Sequence, residues 1–182
     1  MTSNLSIREI RKEEFERLGQ LMVDVYSRLD GFPGRDEQPR YYEMLANVGR
    51  FAEKKDVKVL VALSADNELA GGVIYFGDMA EYGSGGTAIR VSNASGIRLL
   101  AVDPRFRGMG AGKALTETCI RLAQEKGHAQ VVLHTTQAMK VAWGLYESLG
   151  FERSEDLDFM QETLHVYGFR LDLSERQHDI AF

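Results

Sequence analysis

The order of apolar and polar residues predicts a short strand, two helices and a hairpin in the first part of the chain. Residues 5–10 alternate in the manner of a strand, whereas 13–29 carry apolar residues at helical spacing. A second helix is predicted over 40–54, after a loop at 30–39 that holds two glycines and two of the chain's three prolines. The segment 57–76 contains two apolar runs separated by the polar stretch SADN, which predicts a β-hairpin.

The second part of the chain is built around the nearly unbroken apolar run IRLLAV at 97–102, which predicts a buried central strand. A helix, a strand, a second helix and a last strand follow, at 112–126, 130–136, 138–149 and 164–173. The order β-α-α-β-β-β-α-β-α-β-β predicts an α/β (α+β) fold. We expect a mixed, mostly antiparallel central sheet of about six to seven strands with helices on both faces.

Length and composition are those of one globular domain. The 182 residues are 44% hydrophobic and 27% charged, so a single domain is expected over 1–182, with its core at about 5–173 and a tail at 174–182. The net charge of −5 argues against a nucleic-acid partner and weakly favours a cationic one. Neither a signal peptide nor a membrane span is visible, so a cytoplasmic protein without a membrane partner is expected.

The metal and thiol chemistry of the sequence is sparse. Cys119 is the only cysteine, so a disulfide framework and a cysteine-based zinc site are both excluded. Cys119 lies on the apolar side of a helical pattern, which favours a small core residue over a nucleophile. No cluster of side chains has metal-ligand spacing, so no catalytic metal is expected.

Three glycines in RGMGAG, residues 107–112, stand between the central strand and the next helix. A glycine-rich turn at a helix N-terminus presents bare N–H groups and a positive dipole end, which favours an anion such as a phosphate. The flanking Arg107 and Lys113 add positive charge, whereas a tight turn alone would need only one glycine. The loop is not of the Walker type, because Ala114 stands where a hydroxyl would hold magnesium. Its glycine spacing also differs from the dinucleotide fingerprint.

The stretch RGMGAG resembles the pyrophosphate-binding loop R-x-x-G-x-G/A of the Gcn5-related N-acetyltransferase (GNAT) superfamily. Upstream, LLAVDP is similar to the superfamily's central strand with its V-x-P exit. Downstream, AWGLYESLGF at 142–151 is similar to its second signature, A-x-x-x-Y-x-x-x-G-F. The two motifs stand in the right order on elements of the right type, and the resemblance extends over 5–173.

This resemblance implies an acetyl-CoA-dependent N-acetyltransferase in which a primary amine attacks the thioester directly. The implied acetyl-CoA contacts are Leu100, Ala101, Val102, Arg107, Gly108, Met109, Gly110, Ala111, Gly112, Lys113, Thr135, Met139 and Ala142. The strands 97–102 and 130–136 are expected to splay apart and leave main-chain groups for the pantetheine arm. Met139 departs from the asparagine that relatives often carry at this position.

Tyr146, in the second motif, is implied as the proton donor to the departing thiolate. The alternative is that Tyr146 is a core aromatic residue on the apolar stripe of its helix. The general base is open, because many relatives have a glutamate at the start of the central strand where this chain has Ser95 and Gly96. Asp78, Glu81 and His134 are candidates for the base or the acceptor site, and a water chain is equally compatible.

Arg98 is a charge within an otherwise apolar strand. Such a residue is rarely buried without a partner, so it either pairs with Asp78 or Glu81 or binds a substrate carboxylate in the acceptor cleft. The glycine-rich segment 77–95 is long for a connection, and we expect it to form a mobile lid beside the acceptor.

The acceptor itself is open at this point: a small amine, an amino acid, an antibiotic or a protein amine. One alternative to an enzyme is a non-catalytic module that senses acyl-CoA; the missing carboxylate leaves this alternative open, and Tyr146 argues against it. A nucleotide-binding phosphotransferase is disfavoured by the failed Walker pattern. Dimers are common in the family that the chain resembles, so a homodimer is a further expectation.

Overall fold

A computed structural model describes residues 4–83 and 85–174. Its strands are β1 (Ser6–Glu9), β2 (Val57–Leu63), β3 (Leu69–Phe76), β4 (Ala94–Val102), β5 (Gln130–Thr135), β6 (Glu152–Arg153), β7 (Phe159–Gln161) and β8 (Leu164–Asp172). The α-helices are α1 (Phe15–Ser27), α2 (Pro39–Ala46), α3 (Ala111–Glu125) and α4 (Lys140–Ser148). Of the tail predicted at 174–182, only Ser174 belongs to the described residues.

The strands form a sheet in the order β1-β2-β3-β4-β5-β8-β6, and β7 pairs with β8 outside this path. Every pair is antiparallel except β4 with β5. The expected fold class and the mostly antiparallel sheet are therefore confirmed. The described chain has eight strands rather than six to seven, because β6 and β7 are two and three residues long and too short to show a period.

Helices cover both faces of the sheet, and the alternation of β2 shows how. Val59 and Val61 belong to the core under α1 and α2, whereas Leu60 and Ala62 belong to the core under α3 and α4. Successive strand side chains point to opposite faces, so a strand that is apolar at every position is buried on both sides. Cys119 of α3 is completely buried in the second core, as the sequence predicts.

The second helix ends earlier than predicted, at Ala46, and a 3₁₀ segment at Val48–Glu53 follows it. Close packing explains the change. A Cβ atom on Gly49 would lie 2.3 Å from Cγ of Phe15, and one on Gly19 would lie 2.0 Å from the carbonyl oxygen of Ala46. The chain after α2 therefore turns tightly against α1, which a continuous helix could not do.

The segment between β3 and β4 differs from the expected mobile lid. It contains 3₁₀ turns at Met79–Glu81 and Ala88–Arg90, and the side chains of Met79, Tyr82 and Ala88 are buried in the core. The central strand also begins three residues earlier than predicted, at Ala94. Buried anchors limit the local opening of a loop, so these three residues fix the segment to the core, whereas most of its other described residues are exposed.

Candidate active site

The two parallel strands at the centre of the sheet separate halfway along their length. The pairing of β4 with β5 runs from Ala94 opposite Gln130 to Ile97 opposite Leu133 and stops there. β4 continues to Val102 without a partner on this side. The predicted splay is confirmed, and it leaves the edge of β4 open at the middle of the sheet.

A β-bulge in β4 lies at the point of separation. Leu99 has φ +58°, in the left-handed region, and the register with β3 shifts between Gly72 and Ile74. The bulge interrupts the alternation of side chains, because Leu99 packs under α1 and α2 while Arg98 contacts Met44 of α2. Bulges occur often beside functional sites, where they redirect a side chain.

A cavity of about 500 Å³ occupies the space beside the splayed strands. It is lined by α1, α2, β4, β5, α4 and the β7–β8 hairpin together with the glycines that precede β4. Seven of the residues singled out from the sequence line it: Arg98, Leu100, His134, Thr135, Met139, Ala142 and Tyr146. Asp78 and Glu81 are not among the lining residues.

Tyr146 projects from α4 and is 5% exposed. Its ring packs edge-on against Phe151, with centroids 5.8 Å apart, and Gly150 at φ +97° ends the helix between them. Burial raises the pKa of the Tyr146 phenol, so the hydroxyl keeps its proton at neutral pH. Within the described part of the chain, this hydroxyl makes no hydrogen bond. It is a protonated donor at the cavity wall.

His134 is held by two hydrogen bonds that fix its tautomer. Nε2 lies 2.7 Å from the carbonyl oxygen of Leu157, and because a carbonyl can only accept, Nε2 carries the hydrogen. Nδ1 therefore accepts from the hydroxyl of Tyr82 at 2.8 Å. Burial lowers the pKa of His134, and the charge of Arg98 acts in the same direction. The ring is neutral at pH 7.

The packing of Tyr82 explains why the chain has no carboxylate at the start of its central strand. A Cβ atom on Gly96 would lie 2.5 Å from Cδ2 of Tyr82, so no side chain fits there. The neighbouring Ser95 hydroxyl is bonded to the Tyr75 hydroxyl at 2.8 Å and to Nδ1 of His128 at 2.7 Å. Sequence reasoning missed Tyr82, because 52 residues separate it from His134.

Two threonines at the end of β5 have buried hydroxyls without a partner. Thr135 and Thr136 are 2% and 4% exposed, and both line the cavity. No protein group bonds to either Oγ1 atom within the described part of the chain. Buried polar groups in native proteins nearly always have a partner, so these two hydroxyls are exceptions within the described chain.

The glycine loop has the backbone of a turn and the free amides of an anion site. Gly108 and Gly110 have φ +78° and +82°, and open space surrounds both of them. The turn therefore explains two of the three glycines, because L side chains are strained at such angles. It does not explain the N–H groups of residues 108–113, none of which meets a protein acceptor in the described chain. These groups lie at the N-terminus of the 15-residue helix α3, where the helix dipole is positive.

The charged residues around this loop are exposed, as are most of the loop residues that are predicted to contact acetyl-CoA. Arg107, Met109 and Lys113 face solvent, and Met109 is 40% exposed. Lys113 Nζ lies 3.9 Å from Glu117, a weak surface pair that leaves the ammonium available. The loop thus offers amides, a helix dipole and two mobile cations to an anion.

The expectation that Arg98 pairs with Asp78 or Glu81 is wrong. Glu81 pairs with Lys54 at 3.5 Å, and the carboxylate of Asp78 accepts from the N–H of Ala80 at 2.9 Å. The bulge instead turns Arg98 to the cavity wall, where Nη1 donates to the carbonyl oxygen of Tyr82 at 2.9 Å.

Within the described residues, no group of three or more histidine, cysteine, aspartate or glutamate side chains is placed to hold a metal ion. None of the described helices combines the length and the apolar character that a membrane crossing requires.

Comparison with known proteins agrees with this geometry. Residues 7–151 match the model of the acetyltransferase (GNAT) family. The chain therefore belongs to this family of acyltransferases.

The curated relatives match less than half of the chain. Human N-acetyltransferase 8B is 39% identical over 74 residues, which are 41% of this chain and 30% of that protein. N-acetylaspartate synthetase of Danio rerio is 44% identical over 61 residues, 34% of this chain and 22% of the relative. The chain thus spans less than a third of the length of these relatives.

Solved structures of the same fold cover nearly the whole chain. An acetyltransferase of the GNAT family from Staphylococcus aureus Mu50 has a TM-score of 0.72 at 18% identity, covering 93% of this chain and 99% of its own. The PaiA N-acetyltransferase of Thermoplasma acidophilum, solved with coenzyme A, has a TM-score of 0.67 at 16% identity, covering 90% and 97%. The yncA protein of Salmonella typhimurium, solved with acetyl-CoA, has a TM-score of 0.62 at 19% identity, covering 94% and 95%. At these identities the likeness shows the fold.

Proposed function

We propose that this protein transfers an acetyl group from acetyl-CoA to a primary amine by direct attack on the thioester. One observation carries the proposal: β4 and β5 separate beside a cavity, and β4 leads through the turn at Pro104–Phe106 into a glycine loop whose amides have no protein partner in the described chain. The same fold in proteins solved with coenzyme A and acetyl-CoA supports it.

The glycine loop is the proposed pyrophosphate site. The amides of residues 108–113 donate to the phosphate oxygens, and Arg107 adds positive charge from the loop's edge. Gly110 caps α3 in the left-handed conformation, which directs the first amides of the helix outward. Ala111 and Gly112 pack this helix turn closely against β4 and α4, so the amides are held rigidly.

The open edge of β4 is the proposed site for the pantetheine arm. Main-chain groups of Leu100 and Val102 have no strand partner on the splayed side and can pair with amides of the arm, whereas the Ala101 carbonyl faces Gly71 of β3 and the Leu100 carbonyl already accepts from the Tyr26 hydroxyl at 3.2 Å. Thr135, the last residue of β5, and Thr136 also line this space, and their hydroxyls have no partner in the described chain. Met139 and Ala142 supply apolar wall at the start of α4. The residues present therefore fit an amide-bearing chain that ends in the cavity.

Acetyl-CoA supplies a thioester whose carbonyl carbon the amine attacks and whose thiolate departs. Tyr146 is the proposed acid: its phenol gives a proton to the departing sulfur and recovers one from solvent. The raised pKa that burial causes keeps the phenol protonated until the thiolate forms. A thiolate departs fairly well without a proton, so the acid accelerates the reaction but is not essential for it.

His134 is the proposed base, because it is half-buried at the cavity wall whereas Tyr82 is completely buried. Nδ1 of His134 takes a proton from the acceptor ammonium, and the Tyr82 hydroxyl, which no longer donates to Nδ1, turns to the carbonyl oxygen of Ile97 at 3.5 Å. The imidazolium then donates from both nitrogens, to Tyr82 and to the Leu157 carbonyl. The cavity position of this pair favours it over Asp78 and Glu81.

Acetyl-CoA should stabilise the protein and ATP should not. A ligand at about 100 times its dissociation constant adds about 2.7 kcal/mol, which raises the melting temperature of a protein of this size by about 5 to 10 °C. The measurement is a thermal shift with acetyl-CoA, coenzyme A and ATP at equal concentrations. A shift with ATP as large as that with acetyl-CoA would favour a nucleotide-binding phosphotransferase and contradict the proposal.

A further inference from the structure

We infer that the acceptor amine carries a carboxylate, in the manner of an amino acid, and that Arg98 binds it. The inference rests on the proposed function and names the class of its acceptor. Of the described residues that line the cavity, Arg98 is the one with a full positive charge, and none is an aspartate or glutamate. A charge of one sign in a cavity without its counterpart selects a ligand of the opposite sign.

The hydrogen bonds of Arg98 leave most of its donors unused. A guanidinium has five N–H donors. Within the described residues, Nη1 donates to the Tyr82 carbonyl at 2.9 Å, Nη2 lies 4.0 Å from the sulfur of Met44, and the group lies 5.8 Å from the Tyr82 ring centroid. No described carboxylate forms an ion pair with it. A partly buried guanidinium without a carboxylate is uncommon, and its planar fork matches a carboxylate with two parallel bonds.

The backbone shows that this position is built rather than incidental. Leu99 adopts φ +58°, a conformation that is strained for a leucine, inside an otherwise regular strand. The resulting bulge places Arg98 on the cavity side, beside Met44 and Tyr82, instead of in the sheet. Strained backbone that redirects one charged side chain into a cavity is a feature of binding sites.

The charge of the cavity excludes a second class of acceptor. A polyamine or an aminoglycoside carries additional ammonium groups, and each would face Arg98 without an acidic residue to bind it. The whole chain has a net charge of −5, which favours cations at long range. Inside the cavity the charge of the lining residues is positive. At contact distance the interaction of a ligand with Arg98 outweighs its interaction with the distant, screened charges of the surface.

An aromatic wall next to Arg98 defines the rest of the acceptor. Tyr26 contacts Phe32 and Tyr41 edge to face, with ring centroids 5.6 and 6.2 Å apart, and the rings of Phe32 and Tyr41 are tilted at 5.7 Å. All three line the cavity, as does Met44 beside the guanidinium. This wall offers apolar area and few donors, so the acceptor side chain is apolar or aromatic.

Matched acceptors test the inference directly. Coenzyme A thiol release is followed with phenylalanine, leucine and methionine, each beside its own amide, and with phenethylamine and spermidine. Rates are compared at equal concentrations of the unprotonated amine. We expect kcat/KM for the free acids to exceed that for the amides, phenethylamine and spermidine by about 10- to 100-fold, the size of a charge-assisted hydrogen-bonded pair.

Variants of Arg98 assign the preference to this side chain. In Arg98→Met the ratio of kcat/KM for each acid to that for its amide should fall to about one, whatever the change in the rate with the amides. Arg98→Lys keeps the charge and should retain part of the preference. Arg90→Met, which removes an exposed arginine outside the cavity, should leave the preference intact. Circular dichroism of each variant checks its fold.

Two outcomes overturn the inference: equal turnover of acids and amides by the parent, or an equal loss of both in Arg98→Met. Absence of thiol release with every amine would overturn the proposed function instead. Calorimetry then decides the inference, with N-acetylphenylalanine and its amide added to the coenzyme A complex. A preference for the acid that is lost in Arg98→Met upholds it, and equal binding or no binding overturns it.

Discussion

Replacing Gly110 with valine should abolish the stabilisation of this protein by acetyl-CoA. Gly110 has φ +82°, and a side chain there is strained although no neighbouring atom obstructs it. A β-branched residue at this angle costs about 1–2 kcal/mol or more, so the loop leaves the left-handed conformation. The amides of residues 108–113 then lose the common direction that a pyrophosphate requires. We expect that the thermal shift of about 5 to 10 °C predicted for the parent is absent in this variant.

Gly127→Val is the matched control for this experiment. Gly127 has φ +75°, open space around it, and a position just beyond the opposite end of the same helix. The two variants should therefore lose similar stability without ligand, and only Gly110→Val should lose the response to acetyl-CoA. If both variants keep the full thermal shift, the loop is not the pyrophosphate site.

Removal of the Tyr146 hydroxyl should lower kcat by at least about tenfold. Tyr146→Phe keeps the ring and its packing against Phe151, and proton transfer from a positioned group is worth about 10²- to 10⁴-fold. The floor is low because a thiolate departs fairly well unaided. The dissociation constant of acetyl-CoA should stay nearly unchanged, since the loss is felt in the transition state. The deficit should shrink as the pH rises, because the released thiol is then stable as a thiolate and needs no proton in order to leave.

Tyr42→Phe provides the comparison. Tyr42 is 5% exposed, as is Tyr146, but its hydroxyl donates to the Pro33 carbonyl at 2.6 Å outside the cavity. Its removal should reduce stability and leave kcat within about twofold. A Tyr146→Phe enzyme that turns over like the parent at neutral pH would make Tyr146 a packing residue.

The sequence predicted those parts of the site that local chemistry determines. A strand, a glycine loop and a helix N-terminus follow one another in the chain, so their function as an anion site can be inferred from neighbouring residues alone. The same holds for Gly150, which ends α4 beside Tyr146 at φ +97°. The apolar run of β4 and the separation of the two central strands were also predictable, the second through the family resemblance.

Other parts depend on contacts between distant residues. Nothing in IRLLAV marks a bulge, because Leu99 adopts its positive φ only where β4 leaves the register of β3. Tyr82 occupies the space above Gly96 and bonds to His134 from a loop that sequence reasoning treated as mobile. The orientation of Arg98 follows from the bulge. The sequence alone therefore could not show that Arg98 faces the cavity and forms no ion pair with Asp78 or Glu81.

The most direct test of the account is the stoichiometry of acetyl transfer. Purified protein is supplied with acetyl-CoA and the amine panel, and released thiol is compared with acetylated amine identified by mass spectrometry. The account predicts equal amounts of both, formed at a rate that depends on the concentration of the amine. Binding of acetyl-CoA with thiol release that stays at the uncatalysed rate, and with no acetylated amine from any acceptor, would contradict it and identify a module that senses acyl-CoA.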